Sequence, residues 1–244
     1  MDQNEVSISG TLLCLDRIQA VMEAMKNKDR SSIIRRPELK DAQLMELLCD
    51  GDQHAFTILL NRHQDKLVNY LHRLCGNYET ACDLAQETFL RVFTKSNKYK
   101  PTHAFSTWLY RIGTNLAINH LRRRKLVRFF SVEEEQPGTD GLTYGQRLRS
   151  DDPAPDDLLT RREDVQQVQV VLSALPLKYR VPLTLREIEE LDYQEIGQIM
   201  GLSSGTVKSR IFRGREEFRK RLQRLRLREN NRMERTNGRN SDAL

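Results

Sequence analysis

The sequence predicts an all-α fold of two small helical domains joined by a flexible acidic linker, with a helix-turn-helix in the second domain. Only seven prolines and twelve glycines occur in 244 residues, and leucine, arginine, glutamate and glutamine, which are frequent, are good helix formers. Hydrophobic residues make up 38% of the chain and charged residues 30%, which favours small domains over one large core. Turn-forming and acidic residues are concentrated in one central segment.

Five zones follow along the chain: an N-terminal extension (1–40), a first helical domain (41–125), a linker (126–165), a second helical domain (166–225) and a basic polar tail (226–244). In the extension, apolar residues at three- and four-residue spacing predict a short helix from Leu12 to Met25. In the first domain, helix breaks are predicted at Asp50 and Gly51, at Gly76 and Asn77, and over 96–103. The tail is expected to fray.

The charge is unevenly distributed along the chain. The predicted linker has ten acidic and five basic residues and so a net charge of −5. Because the whole chain has a net charge of +6, the residues outside the linker have a net charge of +11. Positive charge is therefore concentrated in the helical domains, as is typical of a protein that binds a polyanion such as nucleic acid.

The four cysteines, at positions 14, 49, 75 and 82, form no CxxC pair and have no histidine at zinc-finger spacing. Unpaired thiols favour a reducing compartment. The N-terminal residues lack the pattern of a signal peptide, and no stretch approaches the roughly 18 apolar residues of a membrane helix. We expect a cytoplasmic protein without membrane insertion, metal or cofactor.

The segment LDYQEIGQIMGLSSGTVKSRIFRGREEFRKRL predicts a helix-turn-helix. Gly201 stands where a left-handed residue would end the first helix, and Ser203 or Ser204 would cap the second. The outer face of the second helix carries polar and basic residues, namely Thr206, Lys208, Ser209, Arg210, Arg213 and Arg215. Lys208 and Arg213 are the expected base-reading residues, because cations can donate to guanine acceptors in the major groove. The alternative is an amphipathic hairpin with a solvated basic face.

In the first domain, two stretches carry polar and aromatic side chains that could form sites. DLAQETFLRVF leaves Asp83, Gln86 and Glu87 polar beside an apolar face, but no third ligand follows at a spacing suited to a metal. FSTWLYRIGTNLAINHLRRRK brings aromatic residues, with Tyr99 upstream, beside a run of arginines. Rings next to cations are the chemistry of single-strand binding. The alternatives are that the rings belong to the core and that the arginines end a solvated helix.

These three motifs, in this order with a linker between the second and the third, resemble the extracytoplasmic-function (ECF) group of bacterial sigma factors. The resemblance covers about residues 41–125 and 166–225. It implies a two-domain helical initiation factor that binds core RNA polymerase, recognises a promoter and helps to melt it. It also implies an anti-sigma partner and a linker over 126–165 that threads toward either the active cleft or the exit channel of the polymerase. The segments 1–40 and 226–244 have no counterpart in typical members of this group.

The resemblance assigns residues to three surfaces. The polymerase-binding residues would be Asp83, Leu84, Gln86, Glu87, Phe89 and Leu90. The residues at the melted minus-ten element would be Tyr99, Lys100, Phe105, Trp108, Arg111, Asn115, Asn119, Arg122 and Arg123. Those at the minus-thirty-five element would be Thr206, Lys208, Ser209, Arg210, Phe212 and Arg213.

Two other classes of protein are alternatives. A dimeric helix-turn-helix regulator would act on duplex DNA without polymerase, and would have no use for the polar helix at 83–93. A nucleic-acid enzyme such as a nuclease would need a catalytic motif, and the sequence has no phosphate-binding GxxxxGK[ST] loop and no HExxH. We therefore expect a sigma factor without catalytic residues.

Overall fold

The computed structural model describes residues 38–131 and 156–241. Within these ranges the regular structure is helical and no strand occurs. The helices are α1 (Asp41–Cys49), α2 (Gln53–Cys75), α3 (Tyr78–Thr94), a 3₁₀ turn (Ser96–Lys98), α4 (Phe105–Ser131), α5 (Asp156–Ala174), α6 (Leu177–Glu187), α7 (Tyr193–Met200) and α8 (Ser204–Ser241). The predicted all-α fold is confirmed. The helix predicted between Leu12 and Met25 lies outside the described residues.

The described helices belong to two compact units. The first contains α1, α2, α3 and α4 through Ala117, and the second contains α4 from Ile118 onward together with most of α5 to α8. The two-domain organisation that the sequence predicts is therefore present.

Local capping chemistry sets the helix ends in the first unit. The Asp52 carboxylate accepts from the backbone N–H of His54 at 3.0 Å and begins α2. Gly76 ends α2 in the left-handed region, at φ 72°, which glycine adopts without a Cβ penalty. The Asn77 side chain accepts from the N–H of Thr80 at 2.7 Å and begins α3. The breaks predicted at these positions are confirmed.

Aromatic side chains and one buried hydrogen bond hold the first unit together. The ring of Phe56 meets those of Phe89 and Phe93 edge to face, with centroids 6.4 and 5.2 Å apart. The hydroxyl groups of Tyr70 and Thr114, both buried, form a hydrogen bond of 2.7 Å between α2 and α4. Because a buried hydroxyl without a partner is costly, this pair fixes how α4 packs on α2.

The second unit is anchored by a buried arginine. The Arg180 guanidinium in α6 donates to the backbone carbonyls of Ser173 and Leu175, at the end of α5 and just after it. These are carbonyl groups of the kind that a helix end leaves without an intrahelical donor. Farther along, the Arg215 side chain of α8 reaches Glu187 of α6 at 2.6 Å. Both interactions fix α6 beside its neighbours.

Three helices extend beyond the ends that the sequence predicts. Helix α4 continues to Ser131, α5 already begins at Asp156, and α8 continues to Ser241. The linker predicted over 126–165 is therefore helical at both ends, and the tail predicted to fray from 226 is an extension of α8. Helix propagation adds one hydrogen bond for each residue fixed, so a started helix continues through good helix formers until a breaker ends it.

The folding stability of the first unit should depend on the protonation of His72. Burial, followed by the charge of Arg73, lowers the pKa of His72 below its ordinary value of 6.5. The unfolded chain then binds the proton more readily, so the free energy of unfolding should fall as the pH drops from 6.5 toward the folded-state pKa. Denaturant unfolding across this window measures the effect. We expect His72→Gln to flatten the pH dependence and the exposed control His54→Gln to preserve it, and equal slopes in both variants would contradict the prediction.

Candidate protein and nucleic-acid interfaces

One face of α3 is polar and open to solvent. Asp83 and Leu90 are exposed, and Gln86 and Glu87 are half-buried. Spacings of three, four and seven residues place these four side chains on the same side of the helix. Glu87 forms an ion pair of 2.7 Å with Arg91, one turn farther along. We call these four residues the α3 face.

Leu84 and Phe89 do not belong to the α3 face. Both are buried, with exposures of 8% and 1%, and Phe89 packs on Phe56. Their assignment as direct polymerase contacts is therefore corrected: a side chain in the core has no surface to offer to a partner. They hold α3 against the first unit and so position the α3 face.

An aromatic cluster lies between the 3₁₀ turn and the beginning of α4. The rings of Tyr99 and Trp108 are half-buried, with centroids 5.4 Å apart, and the Tyr99 hydroxyl donates to the His103 carbonyl at 3.2 Å. The Phe105 ring lies 6.2 Å from Tyr99 and 6.4 Å from Trp108. Because Phe105 is only 2% exposed, its assignment as a DNA contact is corrected. It supports the two rings that remain accessible, and Lys100 beside them is exposed.

A charged network that the sequence did not indicate lies next to this cluster. The Asp41 carboxylate accepts from His63 at 2.7 Å and from Arg62 at 2.8 Å, and the His63 hydrogen bond is the largest cause of the lowered pKa of Asp41. The His63 ring meets Phe105 at 5.1 Å. Burial, followed by the charges of Asp41 and Glu46, raises the pKa of Tyr99 above its ordinary value of 10.0. The hydroxyl that donates to His103 is therefore even harder to ionise than that of an ordinary tyrosine.

Polar residues continue from the aromatic cluster along α4. Arg111, Asn115, Asn119 and Arg122 are exposed and follow Trp108 at helical spacing on one side of the helix. Arg123 is exposed beside them. The helix therefore presents a ring, two amides and two guanidinium groups in a row, which we call the α4 stripe. Tyr110 is not part of the α4 stripe, because its side chain is buried and packs against Tyr70.

The turn of the helix-turn-helix has the predicted caps. Gly201 ends α7 in the left-handed region, at φ 66°, and the Ser203 hydroxyl accepts from the N–H of Thr206 at 3.3 Å at the beginning of α8. Asp192 and Glu195 form a capping box at the beginning of α7. The predictions for Gly201 and Ser203 are confirmed.

A second glycine in this motif, Gly197, has a role that the sequence does not indicate. Gly197 is buried in α7, and a Cβ placed on it would lie 2.6 Å from the carbonyl oxygen of Leu202. The backbone of the turn therefore passes over α7 at a distance that only glycine allows. The sequence gives no signal of this contact, because it depends on how the turn folds back.

The outer face of α8 is polar and basic. Lys208, Ser209, Phe212 and Arg213 are exposed, Phe212 at 66%, whereas Thr206 and Arg210 are half-buried. The inner face is packed, with Val207 and Ile211 buried.

The cations of α8 fall into two groups. Arg215, Arg219 and Arg221 form ion pairs with Glu187, Glu216 and Glu217. No ion pair joins Lys208 or Arg213 to a carboxylate in the part of the chain that the structure describes. The two predicted base-reading residues thus keep their charge available for a ligand.

The described residues lack both a metal-binding cluster and a membrane-spanning helix. They contain no group of three or more histidine, cysteine or acidic side chains placed to hold a metal ion. They also contain no helix that is both long and apolar enough to cross a membrane.

A helix with a packed inner face and available cations on its outer face is built to lie against DNA. The fold and this site therefore define a helical DNA-binding protein with a second helical unit.

Two family models match the chain: Sigma-70 region 2 at residues 59–127 and Sigma-70 region 4 at residues 165–218. The ECF RNA polymerase sigma factor SigW of Bacillus subtilis is 39% identical over 175 residues, which cover 72% of this chain and 92% of SigW. The RNA polymerase sigma-H factor of Pseudomonas aeruginosa is 36% identical over 189 residues, which cover 76% of this chain and 95% of that protein. The chain belongs to the ECF group of sigma factors, which direct RNA polymerase to promoters.

The solved structures agree on the fold. CnrH, solved in complex with the cytosolic domain of CnrY, superposes with a TM-score of 0.55 at 23% sequence identity, over 75% of this chain and 97% of CnrH. The likeness to CnrH is therefore one of fold at low sequence identity.

Proposed function

We propose that each of the three surfaces of this sigma factor binds a different ligand. The α3 face binds core RNA polymerase, the aromatic cluster and the α4 stripe hold the melted minus-ten element, and the outer face of α8 reads the minus-thirty-five element. The first two belong to a domain over 41–125 and the third to a domain over 166–225. The observation that carries this proposal is the separation of buried from exposed residues on α3, α4 and α8.

The α3 face suits a protein partner. Leu90 is an apolar side chain at 39% exposure among carboxylate and amide groups. An apolar residue surrounded by polar ones is a common arrangement at the centre of a protein interface. Asp83, Gln86 and Glu87 can then accept hydrogen bonds from the partner around the leucine.

The aromatic cluster suits an unstacked base. Tyr99 and Trp108 offer two accessible ring faces over the buried Phe105, and a base can stack on such rings. Extruding a base costs a few kcal/mol, so rings that are already in position favour the melted strand over the duplex. Asn115 and Asn119 can donate to the strand, and Arg111 and Arg122 can neutralise its phosphates.

Transcription in vitro tests the division of work. Core RNA polymerase with this chain should initiate at specific sites on genomic templates, and neither component alone should do so. The chain alone should bind promoter duplexes weakly. Specific retardation of a palindromic duplex without polymerase, together with no new start sites, would favour the dimeric regulator instead.

Arg213→Ala should relax recognition of the upstream element. If the guanidinium donates to base acceptors, its loss should reduce discrimination between the preferred and a substituted element by about 1–3 kcal/mol. Competition binding of polymerase loaded with the variant measures this difference. Arg219→Ala is the matched control. Because Arg219 is already paired with Glu216, this substitution should leave discrimination between the two elements unchanged. An equal loss of affinity on every sequence would make Arg213 a phosphate contact.

Three further features complete the proposal. The protein acts in the cytoplasm, where its polymerase partner is, and it has no catalytic activity of its own. An anti-sigma partner stays a prediction from the family. Purification of the chain from cells with its bound proteins would test it.

A further inference from the structure

We propose that the C-terminal extension of α8 is a second DNA-binding element, which holds duplex phosphates beside the site read by the helix-turn-helix. This inference rests on the proposed duplex-binding role of α8. The family match ends at residue 218, whereas α8 continues to Ser241. At 1.5 Å per residue, the additional segment is about 34 Å long.

The extension is strongly basic. Residues 219–241 contain nine arginine or lysine residues and two glutamates, a net charge of +7. This segment alone therefore carries a larger positive charge than the net +6 of the whole chain. A helix of this charge attracts a polyanion and repels other cationic surfaces.

Not all of these cations are available for a ligand. Arg219 and Arg221 pair with Glu216 and Glu217. Lys220, Arg224 and Arg228 are exposed, and none of them forms an ion pair with a carboxylate among the residues whose side chains the structure describes, 38–125 and 165–228. We call these three residues the basic row. Their spacing of four residues aligns them along one side of the helix.

The basic row continues the side of α8 that carries Arg213. Lys220 follows Arg213 by seven residues, or about two helical turns, so both side chains project in nearly the same direction. Arg224 lies about 16 Å along the axis from Arg213, and Arg228 about 22 Å. A long helix without a kink curves only gently, with a radius of about 60–100 Å, whereas the major groove winds tightly around the duplex. An α8 whose beginning lies in the groove must therefore leave it and pass over the backbone, where the basic row meets phosphates.

The chemistry of the row favours DNA over a protein partner. The fully buried centres of protein interfaces are depleted of charged residues as a group and enriched in aromatic residues, although arginine occurs there often. Among residues 219–228 no aromatic side chain occurs, and Leu227 is the one large apolar side chain that is exposed. Lysine and arginine at a regular spacing, without an apolar centre, match a regular array of phosphates.

The salt dependence of duplex binding tests the inference. The full-length chain is titrated against a labelled duplex of mixed sequence at several salt concentrations, and the slope of log K against log salt is measured. Each phosphate contact contributes about 0.9 to the magnitude of the slope. For the triple variant Lys220→Gln/Arg224→Gln/Arg228→Gln, the magnitude of this slope should therefore be smaller by about 2–3. Its helical content, measured by circular dichroism, should be unchanged.

The control variant removes the same charge from the first unit, by Lys40→Gln/Lys66→Gln/Lys95→Gln at three exposed positions. It should keep the slope. An equal fall in the control would mean that only net charge matters, and would overturn the inference. An unchanged slope in the basic-row variant would also overturn it, and if that variant binds core polymerase less tightly, the row belongs to a protein interface.

The measurement separates this inference from the proposed function. Duplex binding by the free chain needs no polymerase, so the slope can be read whether or not the chain supports transcription. If Arg213→Ala leaves sequence discrimination unchanged while the basic-row variant loses slope, the proposed reading role fails and the phosphate-binding role stands. If Arg213→Ala relaxes discrimination and the basic-row variant has the same salt slope as the original chain, the proposed function stands and the inference fails.

Discussion

Gly197→Ala should destabilise the helix-turn-helix and abolish duplex recognition. The new Cβ would lie 2.6 Å from the carbonyl oxygen of Leu202, a backbone atom that can move only if the turn moves. Overpacking of this kind costs about 1–3 kcal/mol, and sometimes more. Leu202 is followed by Ser203, which caps α8. A shift of the turn therefore also displaces the beginning of the helix that we propose reads DNA.

Thermal unfolding and duplex binding of the full-length chain measure this effect. The control is Gly205→Ala, because a Cβ at Gly205 has no atom within 4 Å. Since alanine is the better helix former by about 1 kcal/mol, the control should be at least as stable as the original chain. If Gly197→Ala unfolds at the same temperature as the control and binds the duplex equally well, the close approach of the Leu202 carbonyl to position 197 is not required for stability or for duplex binding.

Features that depend on local chemistry could be predicted from the sequence. Gly76 and Gly201 end helices because glycine takes the left-handed conformation without a penalty. Asn77 and Ser203 begin helices because their side chains accept from backbone N–H groups within three residues. Each of these features involves neighbours in sequence, so the residue types alone are informative.

Features that depend on tertiary packing could not be predicted in the same way. The motif resemblance placed Leu84, Phe89 and Phe105 at interfaces, but all three are buried. An apolar residue in a motif can support a surface or belong to it, and only the packing decides which. The ion pair of Arg215 with Glu187 joins two helices and has no sequence signal. By contrast, the pairing of Arg219 and Arg221 follows the three- and four-residue spacing of charges on a helix.

Helices α4 and α8 are longer than the sequence predicts, for a different reason. Helix α4 passes through Lys125 to Ser131, and α8 passes through Arg226 to Ser241, although the hydrophobic periodicity weakens in both places. Periodicity reports which face is buried, whereas a helix can continue into solvent on propensity alone. The inference on the C-terminal extension depends on this difference, because a frayed tail would not hold its cations in a row.

Leu90→Glu should sharply weaken binding to core RNA polymerase. Leu90 is the apolar member of the α3 face and is 39% exposed, so a charge there would be buried without a partner in the complex. Substitution of a central interface residue of this kind weakens the binding free energy by about 2 kcal/mol or more. This corresponds to roughly a thirtyfold rise in the dissociation constant. Because Leu90 is partly exposed in the free chain, the variant should fold normally. Titration of labelled chain with core enzyme measures the change.

Asn69→Glu provides the matched control for the α3 face. Asn69 is exposed on α2 of the same unit, so the control adds the same charge to the surface without touching α3. If both variants bind the polymerase as tightly as the original chain, the α3 face is not the interface. If both weaken it equally, general repulsion is responsible. A loss confined to Leu90→Glu would locate the contact on α3, because Leu84 and Phe89 hold that helix in place from the core.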